Sequence, residues 1–482
     1  MKKAKVFVMC LIVFSIPLVM KIQVLRGAEK EYKFTVEEFL KAKADFDDPR
    51  PVLKDMSFKK MMPPEVYGKL IYDVEEMKKL WAECVGFKSP DEVGKIAPEI
   101  KPGKYSYMDK GKYPGLKELM IPAHYEMFNP GKSPHAGNFP EIEVVPTRQY
   151  YWSTPIAKAT KENMGRTKLD SEGYINNDTY VAGYPFPRPS GGFKGQQIMY
   201  NWEKRYFSGE SFYMVQRLLG FTKGLGVDFD GGIYWLQIRL HGRAMFEPYG
   251  WYDKRAQDQK EATGVAVAYF APRDSFGNAF NIVYYLDRDR FDNWLLYINS
   301  IRRVRKMTAT DCQDAVGGQD VIYEDRDGFS QKLSPKRYPY KFEVIAEREY
   351  LVPAPTWDGS LYMTSPSKGL ELRNIQFERR PVYVVQLTQQ DPNYVYSKRI
   401  IYFDKETFNL LYIENYDQKK RLYRNLLMIP CFNPEMGLLL FFDYIMRDFL
   451  DLHSGRGRGY TLPAPWVTRD HIDMSGIVKM GK

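Results

Sequence analysis

Four cysteines in 482 residues, Cys10, Cys84, Cys312 and Cys431, lie too far apart for a CxxC redox pair, covalent haem attachment or a zinc knuckle. If the first of them leaves with an exported N-terminus, the rest allow one disulfide and an odd thiol. A large chain does not depend on such staples. Histidine is equally sparse: His124, His135, His241, His453 and His471 show no ligand spacing, which argues against a metalloenzyme. No GxSxG elbow, GxxxxGK(S/T) phosphate loop, HExxH pair or Rossmann glycine fingerprint occurs, which lowers the prior for several large enzyme classes. No cofactor, no metal and no catalytic residue is therefore assigned. Basic charge is modest as well. Residues 1–28 hold Lys2, Lys3, Lys5, Lys21 and Arg26 and no acid, so the formal +10 becomes +5 without them. That excess, spread over a long chain, predicts no nucleic-acid partner.

What is present begins with Lys2, Lys3 and Lys5 ahead of an apolar run over residues 6–20, interrupted by Ser15 and Pro17. A basic head before about fifteen apolar residues has the form of a secretory signal peptide and is short for a membrane span. Residues 1–28 are read as a signal peptide or N-terminal anchor, and the expected location is the periplasm, associated with the outer membrane or anchored in the inner one. Cys10 lies inside the apolar stretch, too early for a lipoprotein attachment site.

Residues 29–145 read as a helical, Pro/Gly-rich wrapping region. Thr35 with Glu38 forms a capping box, and Pro63-Pro64 open a helix. On it Val66, Leu70, Val74, Met77, Trp81 and Cys84 share one apolar face, and Gly86 ends it. From about Gly232 the period changes to two. Successive runs at 233–240, 265–270, 280–286, 294–304, 342–351, 372–388, 398–403, 409–415 and 421–428 are rich in β-branched and aromatic residues. Turn-forming residues separate them, so an antiparallel meander is expected over 146–482, with a C-terminal tail. A long meander must close or cover its concave face, and the upstream helices are the expected cover. The run Gly455-Arg456-Gly457-Arg458-Gly459 reads as a flexible loop in an exported protein.

Three acidic clusters stand out: Asp287, Asp289 and Asp292; Glu324, Asp325 and Asp327; and Asp228 with Asp230. Converging carboxylates serve metal binding or acid–base chemistry, yet Asp also stabilises hairpin ends through its own backbone, and turns are the favoured reading. Arg302, Arg303 and Arg305 belong to the densest basic run, a candidate contact for lipid head groups or a partner, weighed against a solvated strand end. The aromatic residues make up 15% of the chain, with 36 Tyr, and they alternate along the strands. Trp202, Tyr234, Trp235, Tyr285, Trp294, Tyr297, Tyr383 and Phe403 are the candidate lining of an apolar hollow, since a bent sheet under helices leaves one.

Several segments carry a resemblance: 96–103; Ala182-Gly183-Tyr184-Pro185-Phe186-Pro187 with Tyr200-Asn201-Trp202; 302–307 running into Gly317-Gly318-Gln319-Asp320 and Glu324-Asp325; Arg379-Arg380-Pro381-Val382-Tyr383; and 398–407. In order and spacing the chain resembles a bacterial outer-membrane lipoprotein-sorting-like family of unknown function, similar in fold to LolA and LolB. The resemblance implies a mainly β protein with a helical N-terminal region. Its strongly curved antiparallel sheet, a half-open barrel, would be covered on its concave side by helices. Also implied is periplasmic binding or transport of a lipid or other hydrophobic molecule, carried between an RND-type exporter and the outer membrane. The family supplies no catalytic residues to carry over, and the expectation is a protein that is not an enzyme. The alternatives are a structural or interaction protein of an envelope complex and, behind it, a hydrolase acting on a hydrophobic substrate.

Overall fold

Alternating aromatic and β-branched residues put successive side chains on opposite faces of a pleated strand, and each face then needs cover. The computed structural model describes residues 62, 64–131, 133–307, 313, 322–355 and 361–480. The strands are β1 (Gly103–Ser106), β2 (Glu141–Val144), β3 (Ser211–Phe221), β4 (Val227–Arg239), β5 (His241–Arg243), β6 (Gly250–Trp251), β7 (Glu261–Ala271), β8 (Ala279–Tyr285), β9 (Asn293–Ile298) and β10 (Arg303–Lys306). They continue with β11 (Tyr340–Pro353), β12 (Tyr362–Met363), β13 (Leu372–Arg373), β14 (Gln376–Gln389), β15 (Lys398–Asp404), β16 (Leu410–Tyr416), β17 (Leu422–Asn433), β18 (Leu438–Asp448) and β19 (Ser454–Pro463).

One antiparallel run has the order β11-β14-β15-β16-β17-β18-β19-β3-β4-β7-β8-β9-β10, and the β1–β2 hairpin joins it through a short parallel pairing of β2 with β14. Among the described residues β10 and β11 do not pair, so the sheet stays open. It is also strongly bent. Asp325 bonds Arg399 on β15 at 2.9 Å, while the next residue, Arg326, stacks on Trp235 of β4 with its guanidinium 4.6 Å from the ring. β15 and β4 are six strands apart in the sheet, a separation of about 29 Å if it were flat. Two adjacent residues reach both only because the right-handed twist accumulates into a deep trough.

The helices are α1 (Pro64–Gly68), α2 (Val74–Val85), α3 (Ser89–Glu92), α4 (Gly115–Leu119), α5 (Pro122–Met127), α6 (Thr154–Glu162), α7 (Lys194–Glu203), α8 (Lys254–Gln259), α9 (Arg469–Ile472) and α10 (Met474–Met480). On α2, Met77, Trp81 and Cys84 are buried. Trp81 meets Trp152 and Tyr184 edge-on at 6.4 and 5.4 Å, and its Nε1 donates to the Glu406 carbonyl at 2.7 Å. α7 lies in the trough, where Trp202 packs 6.1 Å from Phe403 of β15 and donates from Nε1 to the Phe329 carbonyl. Helices thus cover the concave side. The short C-terminal helices cover part of the outer face, where Gly264 leaves room for Ile472: an added Cβ would come within 1.8 Å of the Ile472 Cδ1.

Several expectations need correction. The face predicted from Val66 to Cys84 is two helices, because the chain breaks after Gly68 and Asp73 caps the second helix by accepting from the Glu76 amide at 2.7 Å. Gly86 ends that helix at φ 91°, as its permissive backbone allows. The run 294–304 is a hairpin, β9 and β10, with Arg302 at φ 52° in the turn. The long strands begin at Ser211, not near Gly232, after the short β1 and β2, and β3, β18 and β19 are additions to the expected set. The glycine–arginine run is no loop. It is β19, held between β18 and β3 in the middle of the sheet. Its glycines make room for neighbours: at Gly457 a Cβ would sit 2.0 Å from the Tyr444 ring. Its arginines face the other way, and Arg456 is buried against Asp443 at 2.7 Å. The Thr35–Glu38 capping box, the N-terminal apolar run and Cys312 lie outside the described residues.

Candidate functional site

Ile233, Trp235, Gln237 and Arg239 occupy alternate positions of β4 and line a cavity of about 210 Å³ inside the trough. The same alternation brings in Phe212, Met214, Gln216 and Leu218 from β3, Val267 and Tyr269 from β7, and Phe280 and Tyr284 from β8. Leu426 of β17 and Tyr444 of β18 extend the floor. The opposite wall is Trp202 of α7 together with residues 322–332.

Hydrogen bonds anchor that wall. Glu324 accepts from the hydroxyls of Tyr338 and Tyr394 and from Gln331 Nε2 at 2.8 Å, and burial raises its carboxyl above the usual range. Asp325 accepts from the Tyr396 hydroxyl and from Arg399. Both are buried, and the segment around them is a tight 3-10 turn, Tyr323–Asp325, rather than the end of a hairpin. The cluster at 287–292 is a turn, where Asp287 accepts from the Asp289 amide at 2.9 Å. Asp292 in turn accepts from Lys332 Nζ at 2.9 Å, and the same ammonium donates to the carbonyls of Tyr285, Asp287 and Arg290. That lysine ties the β8–β9 connection to the cavity wall.

Three arginines reach the cavity. Arg326 lies over Trp235 and donates to the Tyr323 hydroxyl at 2.7 Å, which shares a hydrogen bond of 2.5 Å with Tyr284. Arg205 stacks on Trp202 at 4.1 Å and binds Asp327 at 2.8 Å, and Asp327 also lies 3.5 Å from Arg326. Arg239 stacks on Tyr206 at 4.0 Å and donates to the backbone carbonyls of Lys204 and Arg205.

Of the aromatic residues singled out from the sequence, Trp202, Trp235 and Tyr285 line this cavity. Trp294 lines a smaller neighbouring one of about 40 Å³, between Ile282 and Tyr323. Tyr234 points to the other face of β4, where it packs on Phe270 at 4.6 Å and Tyr213 at 6.2 Å. Phe403 is buried behind Trp202, Tyr383 stands opposite it on β14, and Tyr297 is buried on β9; none of the three borders the cavity. Arg302, Arg303 and Arg305 are exposed in the turn before β10 and on that edge strand, away from the cavity. Sequence reasoning missed Arg205, Arg239 and Arg326. For Arg239 a signal was present: it repeats the phase of Ile233 and Trp235, so its charge had to face inward with them.

Among the described residues no three His, Cys, Asp or Glu side chains cluster as a metal site, and no helix is long and apolar enough to cross a membrane. Cys84 and Cys431 are both buried thiols.

Residues 117–461 match the family described as "Protein of unknown function (DUF1329)". The chain belongs to this family. Solved structures similar to this DUF1329 member include a DUF1329 family protein from Desulfovibrio piger, at 13% identity and a TM-score of 0.40, covering 56% of this chain and 91% of that one. A putative outer membrane lipoprotein-sorting protein domain from Vibrio parahaemolyticus matches at 14% identity and TM-score 0.42, over 59% of this chain and 98% of the other. A LolA superfamily protein from Nitrosomonas europaea matches at 14% and 0.34, over 57% and 98%. No curated protein matches the sequence. The family and the names of these neighbours agree with the resemblance drawn from the sequence segments. The architecture of this DUF1329 chain is carried by its own strand pairing, not by scores of this size.

Proposed function

We propose that the protein is a non-catalytic periplasmic carrier that holds a lipid or other hydrophobic molecule between the concave face of the sheet and the α7 and 322–332 wall. The observation that carries this reading is the cavity of about 210 Å³ floored by Phe212, Met214, Ile233, Val267 and Phe280. An apolar cavity of roughly 150 Å³ already admits benzene, so a larger one suits an acyl segment. Binding rather than catalysis is supported by Asp325 on the cavity wall and Glu324 on the smaller cavity beside it, whose oxygens are engaged by tyrosine, glutamine and arginine. The periplasmic setting rests on the basic and apolar N-terminus. Delivery between an RND-type exporter and the outer membrane rests on the resemblance alone, with exposed Arg302, Arg303 and Arg305 as contacts for a head group or partner.

Native mass spectrometry and lipid extraction of the full chain purified from its envelope test this. The expected result is a co-purifying amphiphile at near one per chain. Protein that carries none, and takes up no fluorescent fatty acid after delipidation, overturns the reading. A stable protein partner on such an empty chain would make it an envelope scaffold.

A further inference from the structure

The cavity wall carries more cations than acids: Lys204, Arg205, Arg239, Arg326 and Lys332 against Glu203, Asp325 and Asp327. Trp235 and Arg239, two and six residues beyond Ile233 on the same face of β4, are 6% and 8% exposed. Among the described residues the indole Nε1 of Trp235 and the Nε of Arg239 have no hydrogen-bond acceptor. Buried donors ordinarily find partners, so two orphans on one face of β4, separated by Gln237, mark a wall where an acceptor belongs. Charge points the same way. Arg205, Arg239 and Arg326 reach the cavity, and the one carboxylate bonded to any of them is Asp327, which Arg205 and Arg326 share. The buried Glu210 near Arg239 is engaged elsewhere, accepting from the amides of Ala244, Met245 and Phe246 and pairing with Arg243 at 3.2 Å. Guanidinium groups stay protonated, so this end of an otherwise apolar chamber is cationic.

We infer that the guest is an anionic amphiphile, whose carboxylate or phosphate oxygens accept from the unbonded donor of Arg239 or of Trp235 beside Arg326 while its tail lies along Phe212, Met214, Val267 and Phe280. The inference rests on the carrier reading and adds the sign and chemistry of the head. Arg326 rests on Trp235 and Arg239 lies farther along the same wall, so the unbonded donors border buried space where charge-assisted hydrogen bonds are strongest.

The test uses the full chain, delipidated, titrated calorimetrically with dodecanoate, dodecyl phosphate, dodecanol and dodecyltrimethylammonium. One or both anions should bind about tenfold or more tightly than dodecanol, and the ammonium least of all. Preference for dodecanoate assigns a fatty acid, and preference for dodecyl phosphate a phosphate-headed lipid; either result upholds the inference. Arg239→Gln should bring anion binding down to the level of the alcohol. Because that substitution also removes bonds to the Lys204 and Arg205 carbonyls, Trp235→Phe gives an independent reading. It removes the unbonded N–H and keeps an aromatic ring beneath Arg326, at some loss of buried volume, so anion affinity should fall about fivefold while dodecanol affinity changes little. Dodecanol binding as well as the anions, with both variants silent, overturns the anionic head and leaves the carrier standing. Failure of all four probes to bind overturns both.

Discussion

His124 is enclosed between Tyr412 and Phe377, with ring centroids 4.9 and 6.2 Å away, and neither of its ring nitrogens has a hydrogen-bond partner among the described residues. Burial, and then the charge of Arg447, pushes its pKa down to about 3. His241, packed on Trp251 at 4.0 Å, is pushed down to about 3 by burial and by Lys204, Arg239 and Lys260. In the unfolded chain each ring takes a proton as pH drops through the ordinary histidine value near 6.5. In the folded protein each stays neutral until about pH 3. The unfolded state therefore binds more protons across that window, and stability, full above pH 6.5, is lost as pH falls toward 3. Each ring should cost about 2 kcal/mol between pH 6.5 and 5. Urea denaturation at the two pH values measures the loss, and His124→Phe, which keeps the aromatic packing, should remove its share. An unchanged slope in that variant would contradict the neutral, buried ring.

At the scale of elements, the two ends of the open sheet are treated differently. β10 terminates one side and carries Arg303, Arg305 and Lys306 exposed around the half-buried Val304. Like charges along a short edge strand repel a second strand and keep its free amides from pairing. This explains a basic run here without any ligand, and it coexists with the head-group role proposed for Arg302, Arg303 and Arg305. Replacing Arg303, Arg305 and Lys306 together by Thr should leave the monomer folded but promote concentration-dependent association, followed by light scattering. Continued monomeric behaviour at high concentration would remove the guarding role. In the centre of the sheet the logic inverts: β19 alternates glycine toward the trough, under Tyr444, with arginine toward Asp443 on the other face.

At the scale of the molecule, the bend of the sheet makes the cavity, and the 322–332 segment is the strut that spans it. Glu324 and Asp325 tie that segment to the β14–β15 side through Tyr394, Tyr396 and Arg399, while Arg326 rests on β4. A residue that fills the chamber without touching the strut separates packing from carriage. Val267 is buried in the cavity wall, and Val267→Trp should hold or raise thermal stability by occupying empty space. The same variant should lose most of its co-purifying lipid by mass spectrometry. Retained lipid would place the guest elsewhere.

Read alone, the chain determined its local structure well. Period-two alternation marked most strands, Gly86 marked the end of a helix, and Asp287 marked a turn, because each depends on a few neighbouring residues and their own dihedrals. It also placed Trp202 and Trp235 among residues worth watching, though the same reasoning chose Tyr234, Tyr383 and Phe403, which do not border the cavity. Alternation says that neighbours face opposite ways; it does not say which way is in. Only the tertiary structure decided that β19 lies beside β3, with Ser454 opposite Phe221, and that the sheet bends far enough for one short segment to touch β15 and β4. Strand pairing joins segments distant in sequence, and long loops close at little extra entropic cost, so nothing local specifies the partner. The arginines of the cavity and the orphaned donors beside them exist as a site only after that pairing is made.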